Sequence, residues 1–263
     1  MRMAAFPIFA LTSAARLWFA ATLCGQLIFG LYVAALYGGA VARGDLGGWN
    51  KVMPHGYVPG DHAGNTAIAV HLLLAAVIMI GGALQLIPQI RTRAPAFHHW
   101  NGRVYLAGAV AASISGIYMV WFRGTVGDTV QHVGTTVNGL LVLLCAWQAL
   151  RNALRRDFGA HRRWALRLFL CVSGVWFFRV GLMFWIAANG GPAGFDAKTF
   201  TGPALSFLAY AQYLLPLLVL EIYLRAPATA IARVGVAGLL ALAAGVTAVG
   251  TAVATMGMWL PNL

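Results

Sequence analysis

The chain has 263 residues, 60% of them hydrophobic and 9% charged, with a mean hydropathy of +0.77. Such values lie well outside those of water-soluble domains and exclude a globular cytosolic enzyme. The formal charge of +12 is not a nucleic-acid signal, because topology alone accounts for where it falls.

Seven continuous apolar stretches follow one another, over about residues 15–37, 66–90, 95–122, 129–150, 160–188, 203–224 and 231–258. Each reaches the roughly 20 residues that a helix needs to cross a hydrocarbon layer about 30 Å thick. They are apolar throughout rather than alternating, which selects helices over a barrel. The expected fold is therefore all-α: a polytopic membrane protein with one domain over residues 1–263, seven transmembrane helices, and the second to fifth forming a central four-helix bundle.

The opening MRMAAFPIFALTSAAR has a short apolar run followed at once by a full span, so an uncleaved first helix is expected. Residues 38–65 form the longest loop, rich in Gly and Pro, with His55 and His62 near its end. Pro95 can open the third helix, where its missing N–H is not needed, and this puts His98 and His99 in the first turns. Asp128 can cap the fourth helix just before His132. Asp157 or Gly159 can cap the fifth and bring His161 inside it. Cys24, Cys145 and Cys171 all fall in apolar spans and are expected to pack rather than to form a disulfide or thiolate site.

On this scheme one face collects Arg2, Arg16, Arg91, Arg93, Arg103, Arg151, Arg155, Arg156, Arg162, Arg163, Arg167, Arg225 and Arg233. The other face holds only Arg43, Lys51, Arg123 and Lys198. The positive-inside rule then predicts a bacterial inner-membrane protein with a cytoplasmic N-terminus and an external C-terminus.

Four successive spans each carry a histidine near one end, in alternation: His71 and His132 toward the outer face, His99 and His161 toward the inner. One histidine near a helix end can bond to water or headgroups, but four in this pattern suggest two histidine pairs at two depths. Something like 17 helical residues, about 25 Å, separate the two levels. Two haem b groups with bis-imidazole ligation suit that spacing, and closing both axial positions favours electron transfer over oxygen chemistry. His98 competes with His99 as the inner ligand. Arg179, deep in WFFRVGLMFW, could meet a haem propionate, as could Arg103 and Arg167 at the inner cofactor; a snorkelling or carbonyl-bonded Arg179 is the alternative.

Two resemblances rest on these residues. His71, Gly81 to Gln85 (GGALQ), His98 to Tyr105 (HHWNGRVY) and His161 to Arg167 (HRRWALR) together resemble an uncharacterised bacterial multi-span family, the domain of unknown function 2306, over about residues 66–185. The order of His71, His99, His132 and His161 is similar in architecture to the dihaem transmembrane cytochromes b561. That resemblance implies an outer haem on His71 and His132, an inner haem on His99 and His161, and transmembrane electron transfer from a quinol or small reductant to an acceptor.

The expected partners are thus membrane lipids and a quinone or small reductant, with a homodimer as a further option and no nucleic acid. His62, Arg43 and Lys51 are candidates for an outer substrate mouth, and Arg91, Arg93 and Arg163 for an inner one. The competing reading is a metal or small-solute transporter entered through His55, His62 and His71, and a third is a structural membrane protein without cofactor. A retinal protein is disfavoured, since the only lysines, Lys51 and Lys198, lie in loops.

Overall fold

The computed structural model describes residues 2–263, with side chains from Phe6 onward, so the side chain of Arg2 lies outside the described residues. Helix α1 (Arg2–Val33) runs through a π turn (Ala34–Gly38) into α2 (Gly39–Ala42). After a 3-10 turn at Leu46–Lys51 come α3 (His62–Gln85), the short α4 (Pro88–Arg93) and α5 (Pro95–Tyr118), which a π turn extends over Met119–Gly124. Then follow α6 (Thr129–Leu154), α7 (Phe158–Val172), α8 (Gly174–Asn189), α9 (Pro203–Arg225) and α10 (Ala230–Ala254). Six helices are long and apolar enough to cross a membrane, and α7 with α8, bent by 53°, makes a seventh when the pair is counted as one span. Leu73, Phe122, Leu154, Ile231 and Leu242 are among many large apolar side chains left exposed, as a lipid-facing surface requires.

The helix starts follow local chemistry. Asp128 accepts a hydrogen bond from the Gln131 amide at 2.9 Å and Asp157 from the Ala160 amide at 2.9 Å, so each caps its helix. Pro95 stands at the first position of α5. The second crossing differs from its expected bounds of 66–90. Asp61 caps it early through the Gly64 amide at 2.8 Å, and it ends at Gln85 because Pro88 starts a separate helix carrying Arg91 and Arg93.

Helices α3, α5, α6 and α7 pack in sequence, each on the next, as a row rather than the expected four-helix bundle. The row does not close on itself. α8 packs on α10, α10 on α1, and α1 on α3, while α9 lies outside against α6, α7 and α8. One apolar core (Tyr105, Ala109, Val142, Cys145, Leu168, Cys171) fills the row, and a second (Phe29, Tyr32, Tyr37, Trp176, Val180, Trp259) fills the ring between α1, α3, α8 and α10. The helix ends that carry the arginines form a basic face; the opposite ends, with the loop before α3, form a loop face.

The break in the fifth crossing was expected to be continuous helix over 160–188. Bending a helix inside hydrocarbon releases backbone groups that need new partners. Asn138 Nδ2 donates to the Cys171 carbonyl at 3.1 Å, and Gln26 Nε2 donates to Ser173 Oγ at 2.7 Å, which in turn donates to the Phe169 carbonyl at 2.6 Å. A β-carbon on Gly174 would lie 2.6 Å from Asn138 Nδ2, so the bend needs glycine beside this amide.

Candidate functional site

His98 and His161 are each the fourth residue of their helix, α5 and α7, and both helices begin at the basic face. Both rings therefore stand near the basic face, on helices separated by α6. His161 Nδ1 donates to the Ala149 carbonyl at 2.9 Å. A carbonyl can only accept, so Nδ1 carries the proton and the Nε2 lone pair is left free. His98 faces inward; its Nδ1 is fully enclosed, and neither ring nitrogen has a partner among the described residues. Its backbone carbonyl accepts from Gln85 Nε2 at 2.8 Å, which fixes this turn against α3. His99 points outward and is exposed.

The other two histidines are not level. His71 is nine residues inside the loop-face end of α3, and His132 only three inside that of α6. Six residues of helix amount to about 9 Å. Their neighbours on α5 agree: His71 Nδ1 is 3.0 Å from Ser115 Oγ, whereas His132 stands edge-on to Trp121 with ring centroids 6.1 Å apart. Thr125 Oγ1 also occupies His132 Nε2 at 3.2 Å. His71 and His132 thus stand at different levels along α5.

Most of the arginines expected near a cofactor are used elsewhere. Arg167 Nε donates to Glu221 Oε1 at 2.7 Å, and Arg225 pairs with the same carboxylate at 3.0 Å. Arg103 is exposed and lies over the Trp100 ring at 4.9 Å, turned away from the row. Arg179 bonds the Val175 carbonyl at 3.3 Å and sits 5.4 Å over the Phe29 ring. Lys51 Nζ donates to the Asn262 carbonyl at 3.1 Å. Arg43 and His62 are exposed on the loop face, as are Arg91, Arg93 and Arg163 on the basic face. His62 and His71 are nine residues apart on one helix, and no group of three or more metal-ligating side chains is present among the described residues.

Helical period separates His98 from His99: His98 shares a face with Tyr105, Ala109 and Ala112, which are buried, whereas His99 shares one with the exposed Arg103. Ser115, the anchor of His71, carried no sequence signal of its own. The profile of a family described as "Predicted membrane protein (DUF2306)" matches residues 68–210. The chain belongs to this family. The matched DUF2306 region runs from α3 into α9 and includes His71, His98, His99, His132 and His161 together with the bent pair α7–α8. No curated protein and no solved structure matches the chain.

Proposed function

We propose that this DUF2306 protein is a b-type redox carrier of the membrane that holds one haem between His98 on α5 and His161 on α7. The reading is supported by one observation: two part-buried imidazoles near the basic-face starts of α5 and α7, the helices on either side of α6, with nitrogens left free. His161 also has the carbonyl anchor that commonly orients a ligating histidine and fixes its tautomer. A haem with two imidazole ligands would supply one-electron transfer with no site open to oxygen.

The chain's own residues do the positioning. The Ala149 carbonyl holds the proton of His161 on Nδ1, so that Nε2 is the free donor atom. Gln85 ties the His98 turn to α3. Asn101 Nδ2 ties the next turn to the Gly81 carbonyl at 2.8 Å. A quinol or other small membrane-soluble reductant is the proposed electron donor, reaching the rings from the headgroup layer at the basic face. The test is the visible spectrum of the purified protein before and after dithionite. A reducible low-spin b-type spectrum is expected; a colourless protein that also fails to take up added haemin would overturn the proposal.

A further inference from the structure

A groove of about 570 Å³ opens between α9 and α10 at the basic face and shares no lining residue with the histidine pair. Local sequence makes it. Pro227 holds Ala226 out of the helical region, so α9 ends at Arg225, and Thr229 starts α10 by accepting from the Ala232 amide at 3.3 Å. The two helices leave this short turn in different company: α9 lies against α6, α7 and α8, and α10 against α1 and α8. On the inner side Val219 and Tyr223 close the gap by packing on the core of Val236, Ala237 and Leu240. On the outer side the groove stays open. Leu218 and Ile222 of α9 and Ala232 and Gly235 of α10 line it, and a β-carbon on Gly235 would meet nothing within 4 Å.

We propose that this groove binds one anionic phospholipid, with the phosphate at Arg225 and an acyl chain along Ile222 and Leu218. Its volume falls within the roughly 300–1,000 Å³ of ordinary ligand pockets. Its two ends differ in character. Arg225 marks the headgroup end, and seven residues of helix, about 10 Å, lead from there to Leu218. Leu218 and Ile222 are 55% and 39% exposed on the hydrocarbon flank, so a lipid can enter sideways from the bilayer. A free ion gains nothing from that apolar half, whereas an acyl chain does.

Charge selects the headgroup. Arg167 already balances Glu221, with its Nε on Oε1 at 2.7 Å. Arg225, which meets the other carboxylate oxygen at 3.0 Å and keeps 79% of its side chain exposed, is the surplus cation. Arg233 follows the lining Ala232 and adds a second positive charge, and the first turn of α10 turns its positive dipole end to the same rim. The other acid near this face, Asp157, is spent on capping α7. A basic pocket between transmembrane helices at headgroup level suits an anionic lipid over a zwitterionic one.

The experiment is thermal unfolding of the purified full-length protein in a nonionic detergent, with phosphatidylglycerol, phosphatidylcholine or inorganic phosphate added. Phosphatidylglycerol should raise Tm by several degrees, phosphatidylcholine by clearly less, and phosphate not at all. Gly235→Leu puts a side chain into open space, so the helix should fold at least as well while the phosphatidylglycerol shift is abolished. Arg225→Gln should weaken phosphatidylglycerol about fivefold, the effect of one basic residue at an anionic headgroup. Arg155→Gln, elsewhere on the basic face, should leave it unchanged. The readout needs no haem, so it stands apart from the redox reading.

Equal shifts from the two phospholipids, a shift with phosphate alone, or no shift at all would overturn the proposal. So would a phosphatidylglycerol shift that survives either Gly235→Leu or Arg225→Gln undiminished, or one that Arg155→Gln weakens as much. A lipid-insensitive wild type that is dimeric, and becomes monomeric on Gly235→Leu, would overturn it in favour of a second copy of the chain in the groove.

Discussion

Glu221 sits between Arg167 and Arg225 near the basic end of α9, with 27% of its side chain exposed. Replacing it with glutamine would leave Arg167, whose side chain is 19% exposed, without a counter-charge. We expect Glu221→Gln to lose about 1–2 kcal/mol in denaturant unfolding, the low end for a buried pair because solvent screens it. Asp196 gives a pH-dependent case. The Thr199 and Lys198 amides donate to its carboxylate and hold its pKa below the ordinary 3.8. The stabilisation is therefore complete above that value and is lost as pH falls through the lowered pKa. Amide exchange at Lys198 and Thr199, corrected for its intrinsic pH dependence, should lose protection only on acidification below about 4, and Asp196→Asn should remove that step. Such pairings were invisible in sequence, because Arg167 and Glu221 stand on helices far apart in the chain, and only packing brings them together. The inward turn of His98, by contrast, was readable from its helical period.

The single-helix crossings were legible because composition and length decide them, and so were the starts of α5, α6 and α7 at Pro95, Asp128 and Asp157. The bend between α7 and α8 was not, since WALRLFLCVSGVWFFRVGLMFW is apolar on both sides of it and the groups that support it come from α1 and α6. Gly174→Leu would drive a side chain into Asn138, and an overpacking cost on the order of 1–3 kcal/mol is expected, read as a lowered Tm. The loop before α3 depends on Arg123, whose side chain is 5% exposed. It donates to Asp61 at 2.7 Å, Asn65 at 2.7 Å and the His55 carbonyl at 3.0 Å. Arg123→Ala should free the loop and open residues 52–60 to limited proteolysis, with helices α5 to α10 intact; an unchanged cleavage pattern would contradict this role. Gly64→Ala should behave alike, because its β-carbon would fall 1.8 Å from Arg123 Nη1.

With α7 and α8 counted as one crossing the spans number seven, and we then expect the termini on opposite faces; the arginine-rich ends of α4, α5, α6, α7 and α9 share one face. We expect that face to be cytoplasmic, so that a cysteine added at the N-terminus is shielded from an impermeant thiol reagent in intact cells and one added at the C-terminus is labelled. Labelling of both or of neither would contradict the seven-crossing topology. The proposed site follows from helix position: His71 and His132 differ by six residues from the loop-face ends of their helices, while His98 and His161 both stand in the first turns at the basic face. The most direct test is the haem content per chain of purified single variants. His98→Ala and His161→Ala should each abolish bound haem, whereas His99→Ala and His132→Ala should retain it at one per chain. Haem retained by both of the first two variants, or lost from His132→Ala, would contradict a site built across α5 and α7.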